Sequence, residues 1–318
     1  MIPLASAFFF LMIFPSCGNA APKQIGPVFP ETVFTLPVID GLKMDWVLAA
    51  LDKQPGWKGK NTSDMRFTVD AKGDPWFGNG DTRLFMDPVR NLYFRVSEQY
   101  GDFVFLDGGD HLVCTDKYLG TPIFDKAHPK TDGGMPLLQL VKLVTLDKKG
   151  CRLFAGAGKT LYIVAHNDKT GQDEVSVLAS GGGKPPAASK ILGAAGHITA
   201  LAGDGKRTFF GIGNWVMELP ADRAKPIPYF NARKPVTGLA YSEKTGLFYA
   251  TASYAGFASP KFQIKFITSP NPQIALRGDS LYVRLNRTMG VVRISGAARF
   301  RKLRWNEKKP ANNAGAAD

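Results

Sequence analysis

The feature that most constrains the fold of this chain is a short apolar run followed by a tight turn, repeated along the sequence. The clearest copy reads RFTV (66–69) and then Asp70-Ala-Lys-Gly73, with an aromatic run, PWFG, directly after it. Asp and Gly are typical turn residues, because Asp hydrogen-bonds its own backbone and Gly tolerates a positive φ. Five looser copies follow, with turns that begin at Asp107, Asp147, Asp204, Ser242 and Asp279. Since they recur at one place in each copy, we interpret the aspartates as turn formers and not as catalytic groups.

The turns are separated by 37, 40, 57, 38 and 37 residues, and further apolar runs fill each interval. The long interval contains a Gly-, Pro- and Ala-rich stretch at 181–196, which indicates an inserted loop. A four-stranded unit of about 40 residues is typical of a β-propeller blade. The sequence therefore predicts an all-β chain with six four-stranded blades over 65–305. A β-sandwich or two smaller β domains are the alternatives, since their strands have similar spacing.

Residues outside the clearest repeats complete this prediction. The N-terminal segment 21–64 contains an apolar run at 33–40, which we expect to close the last blade as an added strand. A stretch at 45–51 is expected to form a short helix. In the third blade the innermost strand is predicted to be KLVTL, at 142–146. The tail 306–318 has low complexity, and we expect it to be disordered.

The pattern D-x-x-G-x-x-W-F-G, formed by Asp70 to Gly78, resembles the blade repeat of two-component-regulator propellers and of virginiamycin B lyase. The looser copies resemble the wider group that includes gluconolactonase-type and NHL propellers. The resemblance covers most of 65–300 and implies a propeller fold. It implies no particular activity, because this fold carries many unrelated functions.

The first twenty residues predict an exported protein. Residues 4–14 form an uncharged apolar core, and Gly18-Asn19-Ala20 has the small-x-small pattern of a cleavage site, so we expect a signal peptide at 1–20. No Lys or Arg precedes that core. The alternative is a lipoprotein signal, with Cys17 as the lipid-modified residue. Either way we expect a periplasmic or secreted protein without a transmembrane span, since no other stretch has the roughly 20 apolar residues of a span.

The chain is strongly basic, with 40 Lys and Arg against 27 Asp and Glu and a net charge of +13. Such a charge favours an anionic partner, or serves only to keep the protein soluble. We expect a protein or anionic glycan partner in the cell envelope and, because of export, no nucleic acid. The basic segment at 299–309 is a candidate for contact with such a partner.

Two cysteines lie beyond the N-terminal segment. Cys114 and Cys151 both occur in apolar strands, where small buried thiols are common. A disulfide between them is the alternative, although a chain of this length can fold without one.

The innermost strand of a propeller blade begins at the face that usually binds ligands, so polar residues at those positions are candidates for chemistry. They are Asp64, Asp102, His197 and Asn271. If the protein is an enzyme, Asp64, Asp102 and His197 are the catalytic candidates. Asp64, Asp102 and Asn271 would then be the oxygen ligands of Ca²⁺ or Mg²⁺. In our main interpretation these residues shape turns, and we expect no catalytic residue, no metal and no cofactor.

The loops between the second and third strands should surround the same face. They mix cations and aromatic rings, which suits an anionic or sugar ligand. The candidate ligand-binding residues are Lys117, Tyr118, Lys159, Asn214, Tyr254 and Arg287. We therefore favour a non-enzymatic binding or scaffold module of the cell envelope. The alternative is a metal-dependent, lactonase-like hydrolase or lyase with its site at the channel mouth.

Overall fold

In a computed structural model that describes residues 32–49, 65–146, 150–179, 188–220, 225–285 and 290–303, the chain forms a ring of six blades. The blades belong to five β-sheets, because blades 1 and 2 share one nine-stranded sheet, and we number them 1 to 6 in chain order. The innermost strand of each blade contacts the innermost strands of both neighbouring blades, so the six inner strands form a closed ring. The prediction of an all-β fold with six four-stranded blades is confirmed.

The strands are numbered in chain order. Two of them, β1 (Val33–Phe34) and β2 (Lys43–Leu48), precede the blades. Blade 1 contains β3 (Arg66–Val69), β4 (Pro75–Asn79), β5 (Leu84–Asp87) and β6 (Leu92–Val96). Blade 2 contains β7 (Asp102–Phe105), β8 (His111–Cys114), β9 (Tyr118–Ile123), the short β10 (Thr131–Asp132) and β11 (Met135–Thr145). Blade 3 contains β12 (Arg152–Ala155), β13 (Thr160–Asn167), β14 (Gln172–Ala179) and β15 (Ala188–Ala195).

The second half of the ring has the same organisation. Blade 4 contains β16 (Ile198–Gly203), β17 (Thr208–Ile212), β18 (Trp215–Leu219) and β19 (Ile227–Asn231). Blade 5 contains β20 (Val236–Ser242), β21 (Gly246–Thr251), β22 (Tyr254–Ala258) and β23 (Gln263–Thr268). Blade 6 contains β24 (Gln273–Arg277), β25 (Ser280–Leu285) and β26 (Gly290–Ser295), and a 3₁₀ helix follows at Ala297–Lys302.

Two of the repeated aspartates, Asp70 and Asp204, shape their own turns as predicted. Asp107 and Asp279 instead accept backbone N–H groups from Gly158 and Ala298, and Asp147 lies outside the described residues. The Oδ1 atom of Asp70 accepts hydrogen bonds from the backbone N–H groups of Lys72 (2.8 Å) and Asp74 (3.0 Å). Asp204 accepts from the backbone N–H groups of Lys206 and Arg207 in the same way. A carboxylate that closes its own turn fixes the connection between two strands without any contact to a ligand.

The N-terminal segment closes the ring, but with different residues from those predicted. β2 pairs with β26 and becomes the fourth strand of blade 6. The run at 33–40 contributes only β1, which pairs with β23 and adds a fifth strand to blade 5. The helix predicted at 45–51 is wrong, because residues 43–48 alternate between exposed and part-buried positions as an edge strand does.

The innermost strand of the third blade was also predicted at the wrong residues. The run at 142–146, predicted to be its innermost strand, lies mostly in β11 at the outside of blade 2, and the inner strand of blade 3 is β12. An apolar strand lies on each side of residues 147–150, so the sequence that connects these two blades looks like the turn sequence within a blade. β11 also pairs in parallel with β6, which joins the outer edges of blades 1 and 2.

A disulfide connects blades 2 and 3. Cys114 ends β8, Cys151 directly precedes β12, and their Cα atoms are 6.5 Å apart. The disulfide alternative for this pair is therefore the one the structure shows. No helix in the described ranges is long and apolar enough to cross a membrane.

The segments at both ends of the chain are only partly described. Residues 1–20 and 306–318, predicted to be a signal peptide and a disordered tail, lie outside the described residues. Of the basic segment 299–309, residues 299–303 are described. Phe300 is buried there against Phe248 and Phe257 at centroid distances of 5.3 and 5.5 Å. A role of this segment in binding a partner stays a prediction.

Candidate functional site

A central channel with a cavity of about 400 Å³ runs along the ring axis, lined mainly by the six inner strands. We call the end at which those strands begin the upper mouth and the end at which they finish the lower mouth. Arg66, Asp102 and Gln273 line the channel at the upper mouth, and Asp107 and Arg277 line it at the lower mouth. The two ends can therefore be compared residue by residue.

Asp102, the first residue of β7, is a buried carboxylate at the upper mouth. It accepts hydrogen bonds from the backbone N–H of Phe103 (2.9 Å) and of Leu153 (3.0 Å), and the latter lies on the next blade. The Nε atom of Arg66 is 3.8 Å from Oδ1. Burial raises the pKa of Asp102 and outweighs the opposing effects of Arg66 and the two N–H groups. Asp102 thus connects blades 2 and 3 below the surface of the mouth.

A second buried carboxylate, Asp173, lies between blades 3 and 4. It accepts hydrogen bonds from Arg152 (2.7 Å) and from the backbone N–H of Ile198 (2.8 Å). Two imidazoles contact the same carboxylate, with the Nδ1 atoms of His166 and His197 at 2.9 and 3.2 Å. Burial by itself raises the pKa of Asp173. The hydrogen bond from His166, the Ile198 N–H and the charge of Arg152 together lower it by more than burial raises it, so the net shift is downward.

These two clusters form one charged surface. The Arg152 side chain is mostly buried, and burial lowers its pKa, while Asp173 and Asp102 act against that change and the charge of Arg66 adds to it. Below the mouth lies a third guanidinium, that of the fully buried Arg284, which donates to the Gln273 side chain at 3.0 Å. Burial lowers the pKa of Arg284 to about 10, so it stays charged at neutral pH.

Arg66 and the two histidines of this surface are much more exposed than its two carboxylates. The side chains of Asp102 and Asp173 are 7% and 0% exposed, whereas those of Arg66 and His197 are 51% and 69% exposed. His166 is also half exposed. A solute that reaches the upper mouth therefore meets guanidinium and imidazole groups, with the carboxylates beneath them.

The residues predicted as an alternative catalytic or metal site are only partly brought together. Asp102 and His197 both lie at the upper mouth, as predicted. Asn271 is exposed in the loop before β24, with a φ of 43°. Asp64 lies outside the described residues. The roles assigned to these four residues remain predictions.

The predicted ligand-binding residues are scattered. Lys117 and Asn214 are exposed in loops at the upper face, and Tyr118 begins β9 and donates from its hydroxyl to Glu98 at 2.6 Å. Tyr254 is buried, and its hydroxyl donates to the backbone carbonyl of Ala232 at 2.5 Å, so it is a structural residue.

Lys159 was placed at the wrong end of the channel. It lies in the connection between β12 and β13, which is at the lower mouth, because the inner strand of blade 3 was misassigned. Arg287 lies outside the described residues.

Sequence reasoning missed Arg66, Arg152, His166 and Asp173. With the correct frame for blade 3, the first two share one position, since each is the first residue of an inner strand. That shared position was a detectable pattern. Asp173 begins no inner strand, and nothing in the surrounding sequence marks it.

Comparison with known proteins supports the fold. No protein-family model matches this chain, and no curated protein sequence matches it. Among solved structures, regucalcin from Agrobacterium tumefaciens, described as a calcium-binding protein, is 13% identical, with a TM-score of 0.54 over 78% of this chain and 93% of that one. A gluconolactonase from Xanthomonas campestris is 8% identical, with a TM-score of 0.51 over 72% of this chain and 84% of that one.

The expectation of no cofactor needs correction in this light. One of these similar structures, regucalcin, is described as a calcium-binding protein, and this finding contradicts the expectation. The described residues do not fit a metal ion: no three of their His, Cys, Asp and Glu side chains form a group that could hold one. Asp102 and Asp173 both face guanidinium groups, which repel a cation. No catalytic step is therefore derived through a metal.

At these identities the likeness to solved structures concerns architecture. It agrees with the closed ring of inner strands and with the four-stranded sheets around the channel. The chain has the fold of a six-bladed β-propeller.

Proposed function

We propose that this protein is a lactonase-like hydrolase or lyase that acts at the upper mouth of its channel. The observation that carries the proposal is the position of His197, directly before inner strand β16, where Asp173 holds its ring 3.2 Å away. A buried carboxylate that orients an exposed imidazole is the arrangement used for general base catalysis. The likeness to a gluconolactonase supports the choice of reaction class.

The contacts of His197 define its protonation. Nδ1 faces the ionised Asp173 and acts as a donor to it, and Nε2 lies 3.4 Å from a guanidinium nitrogen of Arg152, which can only donate. In this tautomer Nε2 carries the lone pair, which faces the Arg152 N–H at 3.4 Å. A water molecule that displaces this long contact can transfer a proton to Nε2.

The corresponding reaction is hydrolysis of a cyclic ester. His197 Nε2 takes a proton from water while the water oxygen bonds to the carbonyl carbon. The ring C–O bond then breaks, and the protonated imidazole returns the proton to the leaving alkoxide. The Arg152 N–H that faced Nε2 becomes available to donate to the carbonyl oxygen as negative charge develops there, which is the interaction that stabilises such a transition state.

A panel of lactones tests this proposal. Purified protein is assayed with five- and six-membered lactones, each with and without Ca²⁺ or Mg²⁺. We expect His197→Gln to lower kcat/KM at least 100-fold, the lower range for a general base. His128→Gln is the matched control, because His128 is 86% exposed and also lies beside an aspartate, Asp125 at 3.6 Å, but on a distant loop.

Two results would contradict the proposal. One is the absence of turnover for every lactone with either metal. The other is an equal rate for the His197 and His128 variants. Saturable binding of a sugar or anion without turnover would instead support the interpretation as a binding module.

Export is also a proposal, and it rests on the sequence of residues 1–20 alone. Expression of the full chain in a bacterium, followed by mass spectrometry of its N-terminus, tests it. A start at Ala21 supports a cleaved signal, and a lipid-modified Cys17 supports an anchored form. An intact leader on a cytoplasmic protein contradicts both.

A further inference from the structure

The upper mouth exposes the guanidinium of Arg66 and buries the carboxylates of Asp102 and Asp173, and this arrangement suits a negatively charged ligand. We infer that the mouth binds a small anion bearing a carboxylate or phosphate group, through the guanidinium of Arg66. The inference rests on the proposed function only in taking that anion to be the substrate or part of it. Binding itself can be measured without turnover.

The carboxylates at the upper mouth already have partners. Asp102 accepts two backbone N–H groups, one on each oxygen. Asp173 accepts from Arg152 and Ile198 on one oxygen and contacts His166 on the other. Because each of their oxygens has a partner and their side chains are buried, neither carboxylate is available to a cation in solution.

The side chain of Arg66, in contrast, makes no hydrogen bond to the described residues. Within the described part of the chain, its closest charged contact is the 3.8 Å approach of Nε to Asp102, which is longer than a hydrogen bond. The side chain is half exposed and lines the channel. A guanidinium presents five N–H groups in a planar fork that matches a carboxylate or phosphate with two parallel hydrogen bonds.

Positive side chains outnumber negative ones at the upper mouth. Three guanidinium groups lie at or below the mouth, those of Arg66, Arg152 and Arg284, against the two carboxylates of Asp102 and Asp173. The local charge is therefore positive before any histidine is protonated. A positive potential in a channel with apolar walls attracts an anion and repels a divalent cation.

Binding of simple salts tests the inference. Inorganic phosphate, citrate and gluconate are titrated as sodium salts, and Ca²⁺ and Mg²⁺ as chlorides, all at one ionic strength, with calorimetry and thermal melting as readouts. We expect saturable binding of at least one anion and a rise in Tm with it. The phosphate and carboxylate arms identify which of the two groups the mouth prefers.

Matched arginine variants locate the site. Arg66→Gln should weaken anion binding at least tenfold, and Arg66→Lys should restore part of it. Arg293→Gln is the control, because Arg293 is 42% exposed and lies 3.4 Å from Asp45 on blade 6, away from the mouth. Circular dichroism checks that all three variants are folded.

The opposite pattern would overturn the inference. Removal of a positive charge strengthens a cation site, so tighter Ca²⁺ binding by Arg66→Gln together with unchanged anion binding would show a cation site. Equal anion affinity in the Arg66 and Arg293 variants would also overturn it. Lactone turnover without anion binding would leave the proposed function standing and refute this inference, whereas anion binding without turnover of any lactone would do the reverse.

Discussion

The two mouths of the channel use arginine in opposite ways. At the lower mouth, Arg277 donates to Asp107 at 2.5 Å, to the carbonyl of Phe105 at 2.7 Å and to the carbonyl of Val69, and its side chain is only 12% exposed. At the upper mouth, Arg66 is half exposed and has its nearest carboxylate at 3.8 Å. Both residues lie at the end of an inner strand. The difference shows that hydrogen-bond saturation, more than residue type, distinguishes a structural end of this propeller from an end available to a ligand.

The lower mouth is held by contacts across several blades. Arg277 of blade 6 reaches blades 1 and 2, and Asp107 of blade 2 accepts from the backbone N–H of Gly158 in blade 3 at 2.6 Å. Ala157 then donates to the carbonyl of Gly203 in blade 4 at 2.8 Å. These bonds bring the turns of five blades together, so the structure assigns the lower mouth a role in closing the ring.

Loss of Arg277 should have the largest effect on stability. Arg277→Met leaves the carbonyls of Val69 and Phe105 without this donor, and each acceptor left unpaired away from water costs about 1–3 kcal/mol. Asp107 is 40% exposed and keeps the N–H of Gly158, so the loss of its ion pair adds little. We expect urea denaturation to show this loss in the free energy of unfolding. Arg293→Met, at an exposed ion pair, should cost less than about 1 kcal/mol. Equal losses in the two variants would remove the distinction between the mouths.

Acid should destabilise the protein from a point away from both mouths. His111 lies between Phe85 and Phe105, with centroid distances of 4.4 and 4.3 Å, and its Nε2 has no hydrogen-bond partner among the described residues. Burial lowers the pKa of His111 to about 3, against about 6.5 for an unfolded chain. The unfolded state therefore binds the proton first, so stability falls as the pH drops from about 6.5 towards 3, by up to roughly 4 kcal/mol.

His111→Phe isolates this effect. The variant keeps a ring between the two phenylalanines and removes the titrating group, so its free energy of unfolding should change less between pH 7 and pH 4 than that of the wild type. His197→Gln serves as the comparison at the upper mouth. If His197→Gln, and not His111→Phe, reduced the change in the free energy of unfolding between pH 7 and pH 4, the acid sensitivity would arise at the upper mouth.

The disulfide tests how much the upper mouth depends on a covalent link. The backbone carbonyl of Cys114 on β8 accepts the N–H of Gly101, the neighbour of Asp102, and Cys151 precedes Arg152, so each cysteine lies beside a strand that carries one of these charges. Replacement of both cysteines by alanine should lower the free energy of unfolding by about 4 kcal/mol for a loop of this length. Thermal melts of the oxidised wild type, the reduced wild type and the double variant measure the effect. If all three had the same Tm, the blades would be held together without the disulfide.

Arg66→Gln should have the smallest effect on stability. Its side chain is half exposed and makes no hydrogen bond in the described part of the chain, and substitutions of this kind usually change stability by less than about 0.5 kcal/mol. Urea denaturation beside Arg277→Met measures the contrast directly. A loss for Arg66→Gln as large as that for Arg277→Met would mean that the upper mouth is structural too.

Sequence alone predicted what depends on local contacts. The turn role of Asp70 follows from groups two and four residues away, and the shared edge of the inner strands was enough to place Asp102 and His197 at one mouth. Asp173 could not be predicted, because its partners Arg152 and Ile198 are 21 and 25 residues away and meet it only through strand pairing.

The errors have a physical cause of the same kind. Lys159 was assigned to the wrong mouth because the sequence at 147–150, which connects blades 2 and 3, resembles the turn sequences within the blades. The closing strand was misplaced because β1 and β2 are both short apolar runs, and only their long-range partners distinguish them. In both cases the local sequence is compatible with two positions in the ring.

The way the ring closes also sets an order of events during synthesis. Residues 32–49 leave the ribosome before any blade exists, yet β2 pairs with β26, and Asp45 meets Arg293 at a separation of 248 residues. Blades 1 to 4 can stack as they emerge, but the first strands must wait, unpaired, until the last blade has been made. Because contacts of such separation form slowly, we expect ring closure to be the late step of folding and the stage at which a nascent chain is most exposed to aggregation.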